Sequence, residues 1–155
     1  MIRVLFLCHG NICRSPMAEF VFRDMVRKAG LSDRIEVASA AVSREEIGND
    51  IHPGTRKILV REGIPFEKRA ARQVTKDDMR AFDRVILMDA SNRRLLVRLV
   101  GEELASKAEP MLPDCDVADP WYTGDFDATF ADLSEGCATL LADVKTGMRM
   151  NEDDD

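Results

Sequence analysis

Val4-Leu5-Phe6-Leu7-Cys8-His9-Gly10-Asn11-Ile12-Cys13-Arg14-Ser15-Pro16 runs from a strand through a short loop into the start of a helix. Val4 to Leu7 is unbroken apolar sequence, the pattern of a strand buried on both faces of a parallel sheet. Pro16 suits a first helical turn, where its missing N–H costs nothing. Beyond it Met17, Val21 and Met25 recur every four residues, with Phe22 and Val26 beside them. That is one apolar helix face, and Gly30 closes it.

Outward from this unit the alternation continues. Ile35 to Ala41 reads as a second strand, and Pro53 to Glu62 as a helix stopped by Gly63. Thr75 with Asp78 has the spacing of a helix N-cap. Val85 to Met88 reads as a strand, followed by a helix from near Ser91. Met111 and Leu112 are expected to form a last short strand. Phe126, Phe130, Leu133, Cys137 and Leu140 or Leu141 trace the stripe of a long final helix. Repeated strand–helix units imply an α/β fold, a small doubly wound parallel sheet with helices on both faces. Ligands of such sheets bind beyond the carboxyl ends of the strands, so the loop after the first strand is well placed for a site.

The chain has 155 residues, enough for one domain with a real core. Residues 1–148 are assigned to it, and 149–155 to an acidic tail expected to be disordered. A net charge of −6 argues against a nucleic-acid binder. No apolar run reaches membrane-spanning length, and the first seven residues lack the order of a secretory signal. A cytoplasmic setting follows, with Cys8, Cys13, Cys115 and Cys137 reduced. Only Cys8 and Cys13 are close, and His9 and His52 complete no plausible zinc set. Neither a metal nor a cofactor is expected.

Cys8 to Ser15 has the chemistry to hold a tetrahedral anion. A tight loop entering a helix can turn successive N–H groups inward, and the helix start adds free N–H groups and a positive dipole end. Gly10 is expected to allow a backbone angle forbidden to other residues. Arg14 offers phosphate a planar, two-pronged contact. At the loop's mouth the same positive field favours thiolate over thiol at Cys8, making it a nucleophile. Ser15 could donate to that thiolate, and Asn11 could hold the loop through side-chain bonds to its backbone. A cysteine with an arginine six places later means little alone; the strand before it and the helix after it give it weight.

Cys8 to Glu19, C-H-G-N-I-C-R-S-P-M-A-E, resembles the signature of the low-molecular-weight protein tyrosine phosphatases. The likeness continues at Ser39-Ala40-Ala41, Glu46-Ile47-Gly48-Asn49, Ala71-Arg72-Gln73-Val74-Thr75, Met88-Asp89-Ala90-Ser91-Asn92 and Asp119-Pro120-Trp121-Tyr122. It implies a four-stranded parallel sheet and a metal-independent phosphatase of phosphotyrosine proteins, acting as a monomer or weak dimer. Cys8 would be nucleophile, Arg14 the phosphate clamp and Asp119 the general acid and base. His9, Gly10, Asn11, Ile12, Cys13 and Ser15 would bind phosphate or organise the loop, with Asp89 in support through a contact to Arg14. Trp121 and Tyr122 would wall the substrate cleft, facing Glu45, where many tyrosine-selective relatives carry an aromatic residue. Arg44 would offset that added negative charge. Cys8 with Cys13 resembles a pair that forms a reversible disulfide in the family.

Three rivals stand beside this reading. A thioredoxin-coupled arsenate reductase needs further cysteines in mid-chain, and none occurs between Cys13 and Cys115. A phosphoarginine phosphatase of the same family would suit Glu45. A silent phosphoprotein-binding module would keep Arg14 but lose Cys8 or Asp119, and both are present.

Overall fold

The structure, a computed structural model, describes residues 1–153. In chain order the elements are β1 (Ile2–Cys8), α1 (Arg14–Lys28), β2 (Ile35–Ala41), α2 (Pro53–Arg61), α3 (Lys76–Ala81), β3 (Arg84–Leu87), α4 (Ala90–Val100), α5 (Glu102–Ala105), β4 (Ala108–Pro110), α6 (Pro120–Thr123) and α7 (Phe126–Asp153). The four strands form one parallel sheet in the order β2-β1-β3-β4.

β1 is central, and its side chains divide the core. Val4, Phe6 and Cys8 face a cluster with Phe20 and Phe22 of α1, Leu59 of α2 and Leu133 and Cys137 of α7. Leu5 and Leu7 face the other side, with Met79 of α3, Leu96 and Val100 of α4 and Ala105 of α5. Helices therefore cover both faces, as the apolar run of β1 requires. The chain leaves β1 for β2 on one side and returns to β3 on the other. The strand order thus reverses at the carboxyl ends of β1 and β3, where a crevice opens.

Two expectations change. The last strand is Ala108–Pro110, paired with Val85–Leu87, and not Met111–Leu112. Those two residues are buried beneath α7, with Met111 pressed so close to Gly136 that a Cβ there would lie 2.5 Å from its Cε. Their apolarity comes from packing, and Pro110 is tolerated because β4 is an edge strand. The short helices α5 and α6 have no sequence signal of sufficient length. Finally, α7 continues past 148: residues 149–153 are helical, and the end of the expected tail, 154–155, lies outside the described residues.

Caps fix where the helices begin. Thr75 and Asp78 form a reciprocal capping box at α3, and Asp89 with Asn92 forms another at α4. Asp119 caps α6, with Pro120 at its first position. His52 caps α2 by accepting the Gly54 N–H at Nδ1 (2.9 Å).

Candidate active site

Residues 8–15 wrap around the Cys8 sulfur at the carboxyl end of β1. Their carbonyls face outward and are used. Cys8 O accepts from Val42 N–H at 3.0 Å, His9 O from Ser43 N–H at 3.1 Å and Ile12 O from His52 N–H at 2.9 Å. Cys13 O accepts from the Thr55 hydroxyl at 3.2 Å, and Asn11 O from the Arg69 guanidinium. By contrast, the N–H groups of His9, Gly10, Ile12 and Cys13 meet no acceptor among the described residues. α1 has no side-chain cap and no acid in its first turn, so the N–H groups of Arg14 and Ser15 also meet no acceptor among the described residues. Carbonyls anchored outside and N–H groups left inside make an anion nest.

The left-handed residue of this loop is Asn11, with φ 61°, and not Gly10. Gly10 supplies closeness instead: a Cβ there would lie 3.2 Å from Glu46 Cγ. Asn11 is buried and every polar group of it is used. Its N–H points to Cys8 Sγ (3.3 Å), its Nδ2 donates to Ser15 Oγ (2.8 Å) and Ser39 Oγ (2.9 Å), and its Oδ1 accepts from Arg72 N–H (3.3 Å). Its side chain thus ties the loop to Ser15, Ser39 and Arg72 rather than to the loop's own backbone. A flipped amide would lose these bonds, which fixes its orientation.

Ser39 gives its proton to Glu19 Oε1 (2.6 Å), so it accepts from Asn11. Ser15 also accepts from Asn11, and its own proton can go to the Ala40 carbonyl at 3.4 Å or to Cys8 Sγ at 3.1 Å. A Cys8 thiolate has no proton to give, and in that state Ser15 is the donor to the sulfur. Ser39 and Arg69 are positions that the sequence did not single out for this network. Their signal was weak: a serine inside the quoted Ser39-Ala40-Ala41 stretch, and one arginine among many.

Arg14 is only 2 % exposed. Its Nη1 donates to Asp89 Oδ2 (2.7 Å) and to Val117 O (2.8 Å), and its Nη2 to Asp119 Oδ2 (3.3 Å). That leaves Nε–H and one Nη2–H, the side-on edge that matches two phosphate oxygens. Burial works against the cation, but Cys8, the Asp89 bond and Asp119 more than offset it, so its pKa is raised. Burial alone would raise the Asp89 pKa; bonds from Arg14, Ser91 and the Asn92 N–H bring it below the ordinary carboxylate range. One aspartate thus caps α4 and holds Arg14. The Val117 carbonyl could not be foreseen, because no side chain announces it.

Over this base lies a cleft of about 90 Å³ lined by Cys8, Arg14, Asp119, Glu45, Trp121 and Tyr122. Tyr122 is 83 % and Trp121 56 % exposed, and Trp121 meets His52 edge-on at 5.7 Å. Glu45 bonds His9 Nε2 at 2.9 Å, whereas Arg44 turns to Gln73 (3.2 Å) and does not offset it. Ile12 and Cys13 also line the cleft. The Cys13 thiol is pushed up to about 12, by burial first and then by the charge of Cys8. All four cysteines are free, with Cys137 buried and Cys115 exposed. No group of three candidate metal ligands occurs among the described residues, and no helix among them is long and apolar enough to cross a membrane.

Residues 3–150 match the sequence profile of the low molecular weight phosphotyrosine protein phosphatases. The low molecular weight protein-tyrosine-phosphatase YfkJ of Bacillus subtilis is 44% identical over 151 residues, covering 94% of this chain and 97% of its own. Its crystal structure superposes with a TM-score of 0.91 over 95% of this chain and 96% of that one. The human low molecular weight phosphotyrosine protein phosphatase is 42% identical over 89% of this chain and 92% of its own. A structure of the YwlE arginine phosphatase is similar at 25% identity, with a TM-score of 0.84 over 96% of this chain and 99% of that one.

Proposed function

The chain belongs to the low molecular weight phosphotyrosine protein phosphatase family, and from that premise we propose that it hydrolyses phosphotyrosine in proteins through a phosphocysteine on Cys8. The observation that carries this is the ring of unpaired N–H groups around a sulfur that Ser15 stabilises, closed by the free edge of Arg14.

The Cys8 thiolate attacks phosphorus in line, and the bond from phosphorus to the tyrosine oxygen breaks. Arg14 and the loop N–H groups hold the three equatorial oxygens, where charge gathers. Asp119, at the cleft mouth, passes its proton to the leaving oxygen. As a carboxylate it then takes a proton from water, whose oxygen attacks phosphorus. The S–P bond breaks, releasing phosphate and restoring the thiolate. No step calls for a metal. Asp89 acts through Arg14 as a positioning residue.

Trp121 and Tyr122 offer their rings to a phenyl leaving group. Glu45 at the mouth favours a second reading, a guanidinium leaving group. Its carboxylate is already engaged by His9, so tyrosine is preferred. A reducing, cytoplasmic setting keeps Cys8 active. Under oxidation Cys13, lining the same cleft, is the partner for a reversible disulfide.

The test compares phosphotyrosine, phosphoserine and phosphoarginine peptides, without metal and at about pH 6, for the wild type and Cys8→Ser. The expected result is phosphotyrosine turnover that vanishes in the variant. Preference for phosphoarginine would move the substrate class, and no turnover of any peptide would contradict the reading.

A further inference from the structure

Beside the Cys8 cleft runs a second, larger depression of about 420 Å³. The two share His9, Arg14, Asp119 and Tyr122 along a common rim. The outer wall of the second is α4, through Ser91, Arg94, Leu95 and Arg98. Arg94 and Arg98 are one helical turn apart and so fall on one side of α4, about 6 Å from each other along its axis.

Both arginines are exposed, and neither has an acceptor among the described residues. Other arginines of the chain are paired: Arg3 with Glu36, Arg27 with Asp24, Arg61 with Asp127, Arg72 with Asp78 and Arg84 with Glu109. The nearby carboxylates do not cancel the two free cations. Asp89 is bound to Arg14 and Ser91, each at 2.7 Å, and Asp119 to Arg14 and the Trp121 N–H. In a chain of net charge −6, this wall is a local reversal of sign that opens into the phosphate cleft.

Resting on the phosphotyrosine reading above, we propose that this groove is a subsite for acidic side chains that flank the phosphotyrosine. Aspartate or glutamate about two to four residues from it meets Arg94 and Arg98. Extended peptide advances about 3.4 Å per residue, so these positions lie about 7 to 14 Å along the chain. Arg94 and Arg98 lie about 6 and 12 Å along the axis from Ala90, the first residue of α4. Tyr122, on the shared rim, gives the connecting backbone a surface to cross. The contacts are solvent-exposed, so they rank substrates modestly and weaken with salt.

The test measures kcat/KM for three phosphotyrosine peptides that differ only in acidic, neutral or basic flanks. p-Nitrophenyl phosphate, which has no flanks, reads the reacting centre alone. The wild type is expected to favour the acidic peptide over the neutral one by about three- to tenfold at low salt, with the gap narrowing at about 0.3 M salt. R94Q/R98Q is expected to bring that ratio to about one, and R94E/R98E to invert it. Equal kcat/KM for the three peptides, or a ranking unchanged in R94E/R98E, would overturn the groove assignment while turnover of the small ester upholds the reaction. Failure of the wild type to turn over the ester as well as the peptides would overturn the reaction itself, and this inference with it.

Discussion

At Asp119 the proposed chemistry makes a prediction that depends on the leaving group. Asp119→Asn is expected to slow phenyl phosphate by about a hundredfold or more, but p-nitrophenyl phosphate, whose phenolate leaves without help, by much less. Equal losses for the two esters would remove Asp119 as the acid. Asp89→Ala is expected to lower the unfolding free energy by about 0.5–2 kcal/mol through loss of the α4 cap, and to lower kcat by freeing Arg14. Asp89→Asn, which keeps a capping side chain, should restore most of the stability but not the rate; urea unfolding and steady-state kinetics separate the two. The residues named from the sequence at this scale were those whose side chains carry the chemistry themselves. The sequence points to Asn11 as loop support and to Gly10 as the residue of unusual backbone angle, whereas the left-handed residue is Asn11. Asparagine also tolerates that angle, and only the hydrogen-bond set decides between the two.

α1 and α7 are legible through their apolar faces, and α1 and α2 through the glycines that stop them. β4 is not: it has three residues, one of them proline, next to a pair of more apolar residues that belong to packing under α7. The short α5 and α6 fail for a similar reason, since four residues show no period. The contact between α2 and α7 makes its own prediction. A Cβ at Gly54 would lie 2.4 Å from the Phe126 ring, which stacks on His52 at 5.0 Å. Gly54→Ala must therefore displace both rings and is expected to cost about 1–3 kcal/mol in urea unfolding. Stability equal to wild type would show that Phe126 moves freely.

Across the whole molecule, the sheet order 2-1-3-4 brings together parts of the chain that are distant in sequence: Cys8 at the end of β1, Asp89 after β3, and Val117 and Asp119 after β4. Strand–helix alternation places the loop after β1 at the site, the family resemblance adds Asp89 and Asp119, and the pairing of Arg14 with a main-chain carbonyl requires coordinates. Charge sets the acid limit of the fold. Asp78 and Asp89 have pKa values below the ordinary range: burial would raise them, but the bonds from Arg72 and Thr75 to the first and from Arg14, Ser91 and Asn92 to the second win. Their stabilisation is complete above the unfolded value of about 3.9 and is lost as pH falls through the folded values. The urea midpoint is therefore expected to drop below about pH 4, and Asp78→Asn to make that drop shallower; an unchanged slope would show that Asp78 contributes no linkage. The central claim is that Cys8 carries the phosphoryl group. Its most direct measurement is acid quench of the enzyme during p-nitrophenyl phosphate turnover, followed by intact mass and peptide mapping. The account predicts a gain of one phosphoryl group on Cys8 that is absent in Cys8→Ser. A phosphoryl group on any other residue, or turnover retained by Cys8→Ser, would contradict it.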